Sequence, residues 1–294
     1  MIEATAPAPL ALGRLRDLAA LGKPRLSILV LFTAASGVWL APAPLGFGRS
    51  VGFLVATAAL VAAANTLNCW LEREIDLRML RTCERPLPAG RLSPRTALVF
   101  GSTLGVLALA GISATANSLT VALGALAICS YVAVYTPMKR WTPWAVVVGA
   151  LPGALPPLMG WAAATGALAP PGWYLFGILF LWQLPHFLAI ALYLKDDFRR
   201  GGIRVLPLVR GDRAARRWLC GAMAGFVAHS IAGPVLGIGG LAYGLTAAIL
   251  GAIGLALAAP GLRSDVGEAW ARRMFAYSLV HLPVLVTALV LSAR

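Results

Sequence analysis

Asn68, Glu72 and Asp76 stand at i, i+4 and i+8 in the run NCWLEREIDLRMLRTCERPLPAG, Asn68 to Gly90. On an α-helix that spacing drifts by only about 40° per step, so the amide and both carboxylates project from one face. Two carboxylates and an amide oxygen make a hard oxygen set suited to Mg2+, which keeps waters and completes its shell from substrate phosphates. Arg78, Arg81 and Arg85 follow directly, and Pro86, Pro88 and Gly90 then end regular structure. Guanidinium groups beside a carboxylate-held cation are what a diphosphate requires. The same charges also read as ion pairs at an interface, and Arg73, Glu74 and Glu84 are assigned to that role.

A second cluster, WQLPHFLAIALYLKDDFRRGGIRVLPLVRGD, offers Lys195, Asp196 and Asp197, with Arg199, Arg200 and Arg204 behind them. Helical spacing puts Asp197 on one face with Tyr193, and Asp196 with Leu192. Asp196 and Asp197 could then join Asn68, Glu72 and Asp76 in clamping one or two Mg2+ around a diphosphate. Simple pairing gives no reason for acidic clusters to recur at one end of the molecule, so the repeat favours the metal reading. Lys139 and Arg140 lie in YTPMKRWTP, whose prolines predict a short non-helical turn. Their charge serves either substrate binding or membrane topology. His186 falls inside an apolar run, which makes it a candidate ligand or a hydrogen-bonded bundle histidine. His229 and His281 read as ordinary span residues. Cys69, Cys83, Cys129 and Cys220 show no paired spacing, which argues against zinc, and Cys129 and Cys220 are expected to be small buried residues.

These residues need elements to hold them, and composition says which. The chain is 59% hydrophobic and 12% charged, with a mean hydropathy of +0.80, as in a chain solvated mostly by lipid. No Asp, Glu, Lys or Arg occurs in 26–48, 50–71, 96–138, 141–194, 218–262 or 274–293. A spanning helix needs about 20 apolar residues. The three longer runs carry breaks at SATANS, GALAPPG and GIGG, so the expected count is nine transmembrane helices in an all-α bundle. With a cytoplasmic N-terminus, 23 of the 25 Lys and Arg fall inside, leaving Arg49 and Arg294 outside. That bias predicts N-in, C-out orientation in the cell inner membrane, with the charged site facing the cytoplasm. All eleven acids fall on the same side. Residues 1–22 are expected to form a cytoplasmic, interfacial segment without signal-peptide character, and 23–294 the membrane domain. The net charge of +14 is accounted for by loops at an anionic bilayer surface, which argues against nucleic acid. Gly101/Gly105, Gly149/Gly153 and Gly233/Gly237 are expected to permit close helix packing.

The run Asn68-x3-Glu72-x2-Ile75-Asp76-x2-Met79-x-Arg81-Thr82-x2-Arg85-x4-Gly90 resembles the signature of the UbiA superfamily of intramembrane prenyltransferases. LGKPRLSILVLFTAASG, GALPGALPPLMGWAAATG, WQLPHFLAIALYLKDDF and GIRVLPLV are similar to segments of its haem-modifying branch, and the resemblance runs from about residue 21 onward. Glu72 stands where that branch usually has Asp, and Tyr193 where other branches place the first acid of an Asp-x3-Asp pair. The resemblance implies a UbiA-type bundle, Mg2+, farnesyl diphosphate as donor and haem B as acceptor. The diphosphate is expected against Asn68, Glu72, Asp76, Arg81, Arg85, Lys139, Arg140 and Asp197. His186, Lys195, Asp196 and Arg78 are expected to contact substrate. The insolubility of haem makes contact with the haem A synthesis enzyme a further expectation. Transfer to an aromatic quinone precursor is the competing reaction. A membrane transporter is the competing class, disfavoured because every charge lies at a helix end or in a loop.

Overall fold

The computed structural model describes residues 10–43, 45–263 and 266–292. Its regular elements are all helical among the described residues: α1 (Leu10–Leu21), α2 (Pro24–Leu40), α3 (Phe47–Asp76) and α4 (Pro94–Thr115). Next come α5 (Ser118–Cys129), a π-helical segment (Ser130–Tyr135), α6 (Thr136–Met138), α7 (Ala145–Thr165) and α8 (Pro170–Tyr193). The chain ends with α9 (Lys195–Gly201), α10 (Leu206–Arg210), α11 (Asp212–Ala232), α12 (Leu241–Ala258) and α13 (Glu268–Ser292). Among the described residues, seven helical stretches are long and apolar enough to cross a membrane: α3, α4, α5 through α6, α7, α8, α12 through Leu262, and α13. The remaining apolar stretches hold α2, which is only 17 residues long, and α11, whose first turns carry Asp212, Arg213, Arg216 and Arg217. Breaks fall where small and turn-forming residues predict them, at 116–117, 166–169 and 233–240. Glu3, Asp265 and Arg294, which enter the charge count, lie outside the described residues.

Caps explain several helix starts. Ser93 accepts from Thr96 N at 3.1 Å before Pro94 at the first turn of α4. Asn117 accepts from Thr120 N at 3.0 Å to start α5, while its Nδ2 donates to Ala162 O at 2.7 Å and ties that start to the end of α7. The YTPMKRWTP stretch departs from the expected non-helical turn. Helix persists through Met138 because the backbone shifts into a π segment ahead of Pro137, with Thr136 Oγ1 donating back to Tyr131 O at 2.8 Å.

Helices α7 and α8 form the centre, their spans 72% and 61% buried, against 28% for α4 and α12 on the rim. One core joins α8 with α11, α12 and α13 around Leu175, Ile178, Phe226, Tyr243 and Leu285. The other joins α2, α3, α4, α5 and α7 around Ala34, Phe53, Ile112, Leu158 and Met159. The small-residue pairs act within the bundle. A Cβ on Gly101 would come 3.0 Å from the Leu67 side chain of α3, and one on Gly153 would come 2.0 Å from Gln183 Oε1 of α8. Cys129 departs from expectation and is exposed, facing outward from the rim, whereas Cys220 is buried.

Candidate active site

The C-terminal turns of α3 turn Asn68, Glu72 and Asp76 inward, none more than 6% exposed. Each meets a cation or donor from elsewhere in the chain. Asn68 Oδ1 accepts from Lys23 Nζ at 3.2 Å, and Asn68 Nδ2 donates to Thr136 Oγ1 at 3.1 Å. Glu72 Oε1 accepts from Lys139 Nζ at 2.7 Å, with that ammonium 4.5 Å from the centre of the Tyr135 ring. Asp76 Oδ2 accepts from Arg85 Nη1 at 2.8 Å. The loop after α3 folds back to present Arg85, since Thr82 Oγ1 donates to Asp76 O at 3.0 Å.

Asp76 Oδ1 is buried with no hydrogen-bond partner among the described residues. An orphaned carboxylate oxygen beside a second carboxylate and an amide is a donor set that fits Mg2+. No group of three or more His, Cys, Asp or Glu converges to hold a metal among the described residues.

The second acidic cluster is arranged otherwise. Helix α8 stops at Tyr193, Leu194 takes φ −105° and ψ 19°, and α9 starts afresh at Lys195. Tyr193 and Asp197 therefore do not share a continuous helical face, a correction to the sequence reading, and the same break separates Leu192 from Asp196. Asp197 turns to the α3–α4 loop, accepting from Leu80 N at 2.8 Å, Arg81 N at 3.4 Å and Arg200 Nη2 at 2.9 Å. Burial alone would raise its pKa, but those donors outweigh it and hold the carboxyl below its ordinary value. Asp196 is 64% exposed and pairs with Arg199. Lys195 pairs with Asp212 at 2.7 Å.

Arg78, Arg81 and Arg140 are exposed at the same end, and Arg140 Nη2 reaches Leu71 O at 3.5 Å. Arg73 pairs with Glu74 at 3.2 Å on the outer face, as expected of bystanders, and Glu84 is exposed. His186 is buried against Ser278 of α13. His229 Nε2 contacts Tyr174 O at 3.0 Å, and both ring nitrogens of His281 are buried without a hydrogen-bond partner among the described residues.

Sequence reasoning missed Lys23. It is the sole non-glycine residue with positive φ among the described residues, at 51°. A left-handed conformation costs about 1–2 kcal/mol, and the following proline disfavours the right-handed alternative. The geometry aims its ammonium at Asn68 across 45 residues of sequence. Burial, with Arg85 and Lys139 nearby, pushes that ammonium below the ordinary lysine range despite opposing contributions from Cys69 and Glu72. A lysine directly before the proline that starts an apolar helix was the signal available.

Three cations, Lys23, Lys139 and Arg85, thus meet a buried stripe of one amide and two carboxylates at one end of an apolar bundle. The family profile described as the UbiA prenyltransferase family matches residues 30–280. This chain belongs to that family. Among curated UbiA-family relatives, protoheme IX farnesyltransferase of Anaeromyxobacter dehalogenans (strain 2CP-C) is 51% identical over 98% of this chain and 97% of its own length. The protein of the same name from Myxococcus xanthus (strain DK1622) is 46% identical over 94% of each. The UbiA fold also extends to solved structures. One concerning digeranylgeranylglyceryl phosphate synthase has a TM-score of 0.80 at 17% identity, covering 96% of this chain and 99% of that one. A UbiA homologue from Archaeoglobus fulgidus bound to DMAPP and Mg2+ has a TM-score of 0.65 at 19% identity, covering 90% and 99%.

Proposed function

We propose that this protein transfers the farnesyl group of farnesyl diphosphate to the 2-vinyl group of haem B, with addition of water, giving haem O and diphosphate. The observation that carries this reading is full-length identity of about half to relatives named for that reaction. The inward stripe of Asn68, Glu72 and Asp76 supplies chemistry to match.

Asn68, Glu72 and Asp76 would hold Mg2+, which when bound offsets the negative charge of the leaving diphosphate. Lys23, Arg85 and Lys139 are already gathered at the stripe, and Arg81 and Arg140 stand exposed at the same end. As the bond between the farnesyl carbon and diphosphate oxygen breaks, these cations stabilise the charge building on that oxygen. The farnesyl carbon becomes allylic-cation-like, the vinyl group attacks it, and water quenches the resulting porphyrin-side cation, so no covalent enzyme nucleophile is required. Asp196 and Asp197 would serve a second cation only by exchanging their present partners. The apolar prenyl chain and porphyrin belong among the helices, and the diphosphate at the aqueous edge. The reading takes residues 23–294 as a nine-span bundle with a cytoplasmic N-terminus, an external C-terminus and a cytoplasmic-facing site in the inner membrane, supported by the charge-free runs and the bias of Lys and Arg. Residues 1–22 lead into that bundle. Handing haem O directly to the haem A synthesis enzyme follows from its insolubility.

Membranes containing the protein, incubated with labelled farnesyl diphosphate and either haem B or 4-hydroxybenzoate, test the reaction. Label transferred to haem alone supports it, and label transferred to the phenol in its place would sink it.

A further inference from the structure

Helices α8 and α13 enclose a polar seam that the carboxylate stripe does not use. Passing toward the charged end, it holds Trp182 with Ser278, then His186 with Phe275, then Tyr193 with Arg272. Trp182 Nε1 donates to Ser278 O at 2.9 Å. The His186 ring stacks on Trp182 with centroids 4.7 Å apart and planes at 25°, and tilts against Phe275 at 4.9 Å. Tyr193 meets Phe275 at 5.6 Å, and Arg272 Cζ lies 4.8 Å from the centre of the Tyr193 ring.

His186 Nδ1 is 2.7 Å from Ser278 Oγ, which is itself 2.6 Å from Phe275 O. A hydroxyl has one proton. Given to Phe275 O, it leaves Oγ to accept from His186 Nδ1–H, and every proton then has an acceptor. The reverse assignment would place a proton on Nε2, which has no hydrogen-bond partner among the described residues. His186 is therefore the Nδ1–H tautomer, with the Nε2 lone pair unused. Both nitrogens of His281 are sealed off, whereas His186 Nε2 is not. A neutral imidazole with Nδ1–H held by a second group and a bare Nε2 is the form that ligates iron.

Resting on the haem reading above, we infer that this seam is the acceptor subsite: His186 Nε2 takes the haem iron, Ser278 is the positioning residue that fixes its tautomer, and Arg272 exchanges its present partner, Glu268 at 3.5 Å, for a propionate carboxylate. His186 and Tyr193 are seven residues apart, about 10 Å along the helix. Iron anchor and carboxylate anchor thus lie at different heights on one edge, with the polar rim of the porphyrin toward the charged end.

The test uses the purified full chain in detergent, titrated with ferric haem and followed by optical and electron paramagnetic resonance spectra. Wild type should give a histidine-ligated signature. His186→Gly should lose it and regain it with added imidazole. His186→Met, which keeps the volume and offers a thioether, should shift it. Ser278→Thr should behave as wild type, while Ser278→Ala should bind haem about 10–100-fold more weakly with an altered signature. Arg272→Leu should weaken binding of haem but not of its dimethyl ester. An unchanged spectrum in haem-bound His186→Gly and His186→Met overturns iron ligation. Ser278→Ala indistinguishable from wild type overturns positioning, and equal losses for haem and ester overturn the propionate contact. Haem O formation by wild type, measured alongside, separates the two readings: no product removes the haem acceptor itself, whereas product with unchanged variant spectra removes only the subsite.

Discussion

Asp76 gives one carboxylate oxygen to Arg85 and leaves the other buried and unpartnered. Buried carboxylate oxygens are rarely left unsatisfied, so Asp76 is the residue on which the proposed metal role is best tested. Asp76→Asn keeps the volume and removes the charge. Its turnover should fall on the order of 10³-fold while its melting temperature stays near wild type, as initial rates of haem O formation and a thermal melt would show. Glu72 and Lys139 test coupling instead. Their side chains are 8% and 16% exposed, so Lys139→Met strands a buried carboxylate and should cost about 3–5 kcal/mol of stability. The double variant Glu72→Gln with Lys139→Met should regain most of that stability without regaining activity. Denaturant melts of the four proteins in this cycle give the coupling directly. The stripe itself was legible in sequence, because i, i+4, i+8 spacing is local geometry. Lys23, Thr136 and Ser278 were not, since their partners lie 45, 68 and 92 residues away.

At the scale of elements, the α3–α4 loop is stapled to α9. Asp197 accepts from two loop amides and from Arg200, so Asp197→Ala should free the loop at a cost of about 1–3 kcal/mol. Hydrogen exchange of Leu80 and Arg81 should rise, while Asp196→Ala, which removes only an exposed pair, should leave it unchanged. The pH dependence has a defined sign. The folded pKa of Asp197 lies below the ordinary 3.8, so the staple's contribution is complete above that value and is lost as pH falls through the folded pKa. Protection measured from pH 7 downward should hold until below 3.8 and then collapse. The break at Leu194 that makes this staple was not legible, because YLKDDF has neither proline nor glycine to announce it. The close approach of α2 and α7 was equally hidden. A Cβ on Gly37 would sit 2.0 Å from Pro157 O, and one on Gly160 2.0 Å from Ala34 O. Gly160→Ala should therefore destabilise by about 1–3 kcal/mol, whereas Gly221→Ala, which meets open space, should not, as detergent-phase melting would register.

Across the whole molecule, polar chemistry is concentrated at one end of an apolar bundle. There Lys23 reaches Asn68, Lys139 reaches Glu72, Asp197 reaches the α3–α4 loop and Arg91 reaches Asp17 at 3.1 Å. At the other end Arg49 caps Thr115 O at 3.0 Å. The charge-free runs made this polarity readable before any fold was known, because lipid penalises charge wherever it falls between the ends. Segments 116–117, 166–169 and 233–240 turn the chain at the poorly charged end, which the proposed orientation puts outside. Ala167 and Ala89 are both exposed, on opposite ends. In a background with Cys69, Cys83, Cys129 and Cys220 replaced, Ala167→Cys should react with a membrane-impermeant maleimide in intact spheroplasts. Ala89→Cys should react only in inverted vesicles, and the opposite labelling pattern would reverse the topology. The same geometry governs turnover. Farnesyl diphosphate, which does not cross the bilayer, should be consumed by inverted vesicles without detergent and spared by intact spheroplasts, since the cations that must meet its diphosphate all lie at the Ala89 end.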